Sequence, residues 1–203
     1  MKDRKFMAVL PLTQVIPFVL AYSGIFIFIF YLLRNKIIFG KKISEYLWPI
    51  RFYIPLAIVG VAWQYVGPFG NAGNVGQLLW TAATILSAAT LARNPDFNFK
   101  NILLAGVFYS LLIHGSKILV RYFIYGPIDP IYRTFDYLSG RFVYGSVLVM
   151  SYTVLGALAY RLLEESRKKK LDNRKIILNI LGVVLTVIFL LVSMRLYNPS
   201  VGI

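Results

Sequence analysis

The chain has one histidine, and it sits in an apolar run with two further basic residues close behind it: "YSLLIHGSKILVRYFIYG", residues 109–126. At about 100° per residue, Ser110, His114, Lys117, Arg121 and Tyr125 fall on a narrow arc of one helix face. An imidazole can donate, accept or move a proton, while an ammonium and a guanidinium neutralise negative charge. Hydroxyls at both ends of the stripe add neutral hydrogen-bonding groups. Together these five residues form a candidate ligand-binding site for an anionic group, a lipid phosphate or a small carboxylate.

Such a stripe needs a counter-charge, because ionised groups in hydrocarbon are costly unless they are paired. The eight acids, Asp3, Glu45, Asp96, Asp129, Asp136, Glu164, Glu165 and Asp172, all lie outside the apolar runs. Asp129 and Asp136, in the connection that follows, are the candidate counter-charges for Arg121 and Lys117. The alternatives are an anionic ligand, a lipid headgroup or an acid of a partner subunit.

Other chemistries are excluded by composition. Without cysteine there is no thiol catalysis, no Cys-ligated zinc, no iron–sulfur cluster and no disulfide. One histidine rules out a haem or metal held by two in-chain histidines. No metal and no cofactor is expected. No carboxylate pair, nucleophile–base pair or phosphate loop can be marked. Catalysis is therefore not the leading expectation. The enzymatic reading that remains has His114 donating a proton to a phosphorylated lipid.

The elements that must position this stripe are membrane helices. Of 203 residues, 58% are hydrophobic, and the mean hydropathy is +0.68, too apolar for a soluble core of this size. Six blocks reach the length of about 20 residues that a bilayer crossing needs: about 8–33, 49–66, 75–92, 102–125, 142–163 and 176–194. The fold class is all-α, a polytopic membrane bundle of about six transmembrane helices forming one integral membrane domain, 1–203. The charged start "MKDRK" resembles a secretion signal, but the apolar run goes on too long and ends in "RNK", so it reads as a retained helix shaped by Pro11 and Pro17.

The net charge is +14, from 22 Lys and Arg against 8 Asp and Glu. In a soluble protein that excess would point to nucleic acid. Here it lies mostly in connections between apolar blocks, so no nucleic-acid partner is expected. Fourteen of the basic residues border the connections after spans one, three and five, six lie on the other side, and Lys117 and Arg121 remain inside span four. This bias puts loops 34–48, 93–101 and 164–175 in the cytoplasm and both termini outside, in a multi-pass protein of the cell membrane. The charge run "EESRKKKLDNRK" at 164–175 is expected to touch anionic lipid headgroups.

Two connections on the opposite side differ in character. "GPFGNAGNVGQ" (67–77) has the Gly and Asn of a tight turn. Gln64, Asn71, Asn74 and Gln77 could add polar contacts near that mouth. "GPIDPIYRTFDYLSGR" (126–141) is long enough to fold over the bundle end or lie along the interface. Span three carries small residues four apart, Ala83 with Ser87 and Thr84 with Ala88, which lets backbones approach closely. It is expected at the centre of the bundle.

Three functions fit these features. One is an anion-binding membrane protein, suited to transport or to holding a lipid phosphate or carboxylate. The second is a small structural subunit whose stripe faces an acidic helix of a partner membrane subunit. The third is the lipid-directed enzyme.

Overall fold

The computed structural model of the chain describes residues 12–66, 72–167 and 172–197. Among these, nearly all are helical: α1 (Leu12–Leu32), α2 (Ile43–Ile50), α3 (Tyr53–Val66), α4 (Ala72–Ala92), α5 (Phe99–Val120), α6 (Phe135–Ser166) and α7 (Asn173–Tyr197). A π-helical turn, Arg121–Tyr125, extends α5, and a 3-10 turn, Pro130–Arg133, precedes α6. The only sheet among the described residues is a two-stranded hairpin, β1 (Ile37–Ile38) and β2 (Lys41–Lys42). Five helical segments are long and apolar enough to cross a membrane, or six if α2 and α3 make one bent span. The fold is an all-α membrane-type helical bundle.

Apolar run length decides where most helices lie. The spans placed at 75–92, 142–163 and 176–194 fall inside α4, α6 and α7, and 102–125 falls inside α5 with its π turn. Of the first span, residues 8–11, with Pro11, lie outside the described residues, while Pro17 lies within α1.

The block at 49–66 is not one straight helix. α2 and α3 meet at an angle of 70° beside Pro49 and the exposed Arg51 and Phe52. α3 alone has 14 residues, about 21 Å at 1.5 Å per residue, which is shorter than the roughly 30 Å hydrocarbon layer. Before it, the chain turns through Phe39 (φ 51°) and Gly40 (φ 80°), the two left-handed positions that a tight hairpin requires. Arg51 stacks 3.8 Å from the Trp48 ring centroid and 4.4 Å from that of Phe52.

Helix starts follow local chemistry. The Glu45 carboxylate accepts the Lys42 N–H at 3.0 Å, and the Asn98 side chain accepts from the Asn101 N–H at 3.1 Å. The Asp172 side chain accepts from the Lys175 N–H at 3.3 Å at the start of α7.

Burial ranks the helices. The α5 segment is 61% buried, α4 and α6 each 39%, α1 17% and α7 6%. α4 packs against α2, α3, α5 and α6 and has one buried face, formed by Trp80, Ala83, Thr84, Ser87 and Ala88. α5 takes the centre, since it carries the polar and basic groups that hydrocarbon does not tolerate at a lipid-facing position. α1 and α7 turn Ile25, Phe28, Ile177, Leu185 and Leu191 outward, the apolar exterior a bilayer requires.

Glycines set the closest approaches. A Cβ on Gly60 would lie 2.8 Å from the Gly76 carbonyl oxygen and 2.8 Å from the Trp80 nitrogen. A Cβ on Gly76 would meet the Gln64 nitrogen at 2.6 Å. α3 and α4 thus cross backbone on backbone, and the crossing holds Gln64 and Trp80 side by side.

Candidate functional site

A cavity of about 200 Å³ lies among α3, α4, α5 and α6, toward the end where α3 finishes and α4 begins. Gln64 comes from α3, Gln77 and Trp80 from α4, and His114, Lys117 and Arg121 from α5 and its π turn. Arg141, Tyr144, Gly145 and Leu148 come from α6. On α5 and on α6 the spacing is i, i+3, i+7, with i+4 filled as well on α6. That spacing directs side chains to a single helix face. Four basic side chains line the cavity, and among the described residues no Asp or Glu does.

Lys117 is 4% exposed, and its Nζ stands 4.3 Å from the centroid of the Trp80 ring. The ring face offers the ammonium a partial negative charge, worth about 2 kcal/mol or more where water is excluded. Trp80 is itself fixed: its Nε1–H donates to the Gln64 side-chain oxygen at 3.2 Å, and its ring packs edge-on against His114. Across the helix pair, the Tyr65 hydroxyl donates to the Lys117 carbonyl at 3.5 Å, tying α3 to α5 at the level of the site.

His114 is 5% exposed and packs against Gly145 of α6, whose backbone hydrogen-bonds the ring. A Cβ at Gly145 would occupy the space of that ring, so glycine is the residue that lets the imidazole into the cavity wall. Among the described residues, His114 Nε2 has no hydrogen-bond partner although it is buried. A buried polar atom without a partner is uncommon and marks a place where a ligand, ion or water belongs. On the next residue, Gly115 admits the Tyr22 hydroxyl, which donates to the Leu111 carbonyl at 2.9 Å and locks α1 to α5.

The structure brings three of the five stripe residues together. His114, Lys117 and Arg121 line the cavity, whereas Ser110 and Tyr125 do not. Ser110 lies one turn deeper, buried, with no partner for its Oγ among the described residues. Tyr125 ends the π turn, in which the Gly126 N–H donates to the Arg121 carbonyl at 2.8 Å. Its ring packs against Tyr65 and Tyr132.

Asp129 and Asp136 are both exposed, and neither forms an ion pair with Lys117 among the described residues. The Asp129 carboxylate accepts from the Ile131 N–H at 3.0 Å and caps the 3-10 turn. Asp136 lies in the first turn of α6.

Trp80, Arg141 and Tyr144 are cavity residues that the stripe alone does not reveal. Arg141 seems part of a loop when 126–141 is read as a connection. Here α6 begins at Phe135, which puts Arg141 two turns into a helix and beside α5. Gln77 likewise belongs to α4 and not to a turn. Gln64 and Gln77 both reach the cavity, the Asn74 side chain lies outside the described atoms, and Asn71 lies outside the described residues. Comparison with protein-family models, with curated proteins and with solved structures returns no match to this chain.

Proposed function

We propose that this membrane-type bundle binds an anionic group in the cavity between α3, α4, α5 and α6. One observation carries the reading. Lys117, Arg121, Arg141 and His114 converge on a single cavity that no carboxylate lines among the described residues. Lys117, buried and without an ion pair among the described residues, gains a counter-charge from a negatively charged guest. The distribution of basic residues over the loops supports a cytoplasmic side for 34–48, 93–101 and 164–175, and with it a cavity that faces the outer side. Carrying the anion and holding a lipid headgroup are the two uses that suit such a site. Loop 164–175, of which 168–171 lie outside the described residues, adds a second basic surface for anionic headgroups.

The test is native mass spectrometry of the purified chain beside its Lys117→Met variant. The wild type retains an anionic species, and the variant loses it. If a stoichiometric second subunit co-purifies and leaves on Lys117→Met, the counter-charge belongs to that subunit and the chain is part of a complex. Identical spectra for the two proteins, with nothing bound, would remove the reading.

A further inference from the structure

We infer that the anion is a phosphoryl group, either free phosphate or the monoester headgroup of a lipid. This rests on the anion-binding reading and adds to it the class of guest. The first argument is geometric. Polar and basic groups reach the cavity from four helices: Gln64 from α3, Gln77 from α4, Lys117 and Arg121 from the α5 segment, and Arg141 from α6. A carboxylate offers two oxygens in one plane, which a single guanidinium fork can satisfy. A phosphoryl group offers three or four oxygens pointing outward in three dimensions, and so can use every wall at once.

The second argument is charge and size. A group that carries about −1.5 to −2 near neutral pH can engage more than one of the basic side chains that line the cavity, Lys117, Arg121 and Arg141. A volume of about 200 Å³ corresponds to roughly seven waters at about 30 Å³ each. That holds a phosphoryl group with a few waters or its first ester atoms, and excludes a nucleotide.

The third argument is the unpartnered Nε2 of His114. A phosphomonoester has its second proton equilibrium at about pH 6, so part of it carries a P–OH proton near neutral pH. The ring nitrogen can accept a hydrogen bond from that P–OH. A carboxylate near neutral pH carries no proton to share. The Gln64 amide, with its oxygen already engaged by Trp80, has its NH₂ end left as donor.

Phosphorus content of the purified wild type is measured first, and then thermal unfolding in detergent at constant ionic strength with inorganic phosphate, acetate or lactate. The same measurement follows in neutral-lipid nanodiscs with and without phosphatidate. The expected result is co-purified phosphorus, or a rise in Tm of about 5 °C or more with saturating phosphate or phosphatidate. Both are lost in Lys117→Met and weakened in Arg121→Gln. A response to free phosphate alone identifies a soluble ion, and one to phosphatidate alone identifies a lipid headgroup. A Lys117-dependent response to acetate or lactate that equals or exceeds the phosphate response would overturn the phosphoryl class and leave the anion site standing. No bound phosphorus and no response to any anion, free or in lipid, would overturn both.

Discussion

The Lys117 ammonium rests over the indole of Trp80, 4.3 Å from the ring centroid, while both side chains are closed off from solvent. Trp80 sits on the small-residue helix α4 and Lys117 on the central helix α5, so their contact links the bundle's packing to its charge. The ring offsets part of the cost of burying the ammonium but is no substitute for a full counter-charge.

Replacing Lys117 with Met keeps the chain length and removes the charge. The ligand-free variant should be as stable as the wild type or more so, because an uncompensated buried charge costs several kcal/mol. Thermal unfolding in detergent checks this. A large loss of stability would mean that Lys117 is held by a structural partner.

Gly145 faces the His114 ring, and Gly140 faces open space. Gly145→Ala should cost about 1–3 kcal/mol and displace the imidazole, as overpacking does. Gly140→Ala, in a half-buried helical position where an added Cβ meets nothing within 4 Å, should be neutral or slightly stabilising. Equal behaviour of the two variants would show that His114 does not pack where it is described.

Small side chains on α4 make room for its neighbours. Ala83 is fully buried, and Val184 and Ile188 on α7 are exposed to the surroundings. Ala83→Leu should lower yield and melting temperature, by about 1–3 kcal/mol of stability. Exchanges of Val184 or Ile188 for Leu should be nearly silent. If all three behave alike, α4 does not pack against its neighbours as described.

Much of this architecture is legible in the residues themselves, for physical reasons. A bilayer demands long apolar runs, so α4, α6 and α7 announce their positions by composition alone. Grouping His114, Lys117 and Arg121 needs only helical periodicity. The hairpin at 37–42 and the 70° break after α2 depend on backbone angles at Phe39 and Gly40 and on local packing, which run length does not report. Tyr125 escapes the arc argument because its ring packs against Tyr65 and Tyr132, contacts that periodicity does not report. Trp80 hides in an apolar run, and its closeness to Lys117 follows from the Gly60–Gly76 crossing, a tertiary fact.

The proposed orientation rests on loop charge and can be read chemically, since the chain has no native cysteine. Single cysteines at Ser44 and Ser166 should resist an impermeant thiol reagent in intact cells, and one at Ser139 should react. Labelling of Ser166 from outside would invert the proposed topology and turn the cavity toward the cytoplasm.

The most direct measurement uses Trp80 as the reporter. Trp48→Phe with Trp63→Phe leaves Trp80 as the sole tryptophan of the original three, and its emission is followed during titration with phosphate, phosphatidate and carboxylates. If the cavity binds an anion, the ammonium moves from the indole toward its guest, and emission changes saturably with at least one of these ligands. Lys117→Met in the same background abolishes the change. A spectrum that no anion alters, in a protein that remains folded, would contradict the account of the cavity as an anion site.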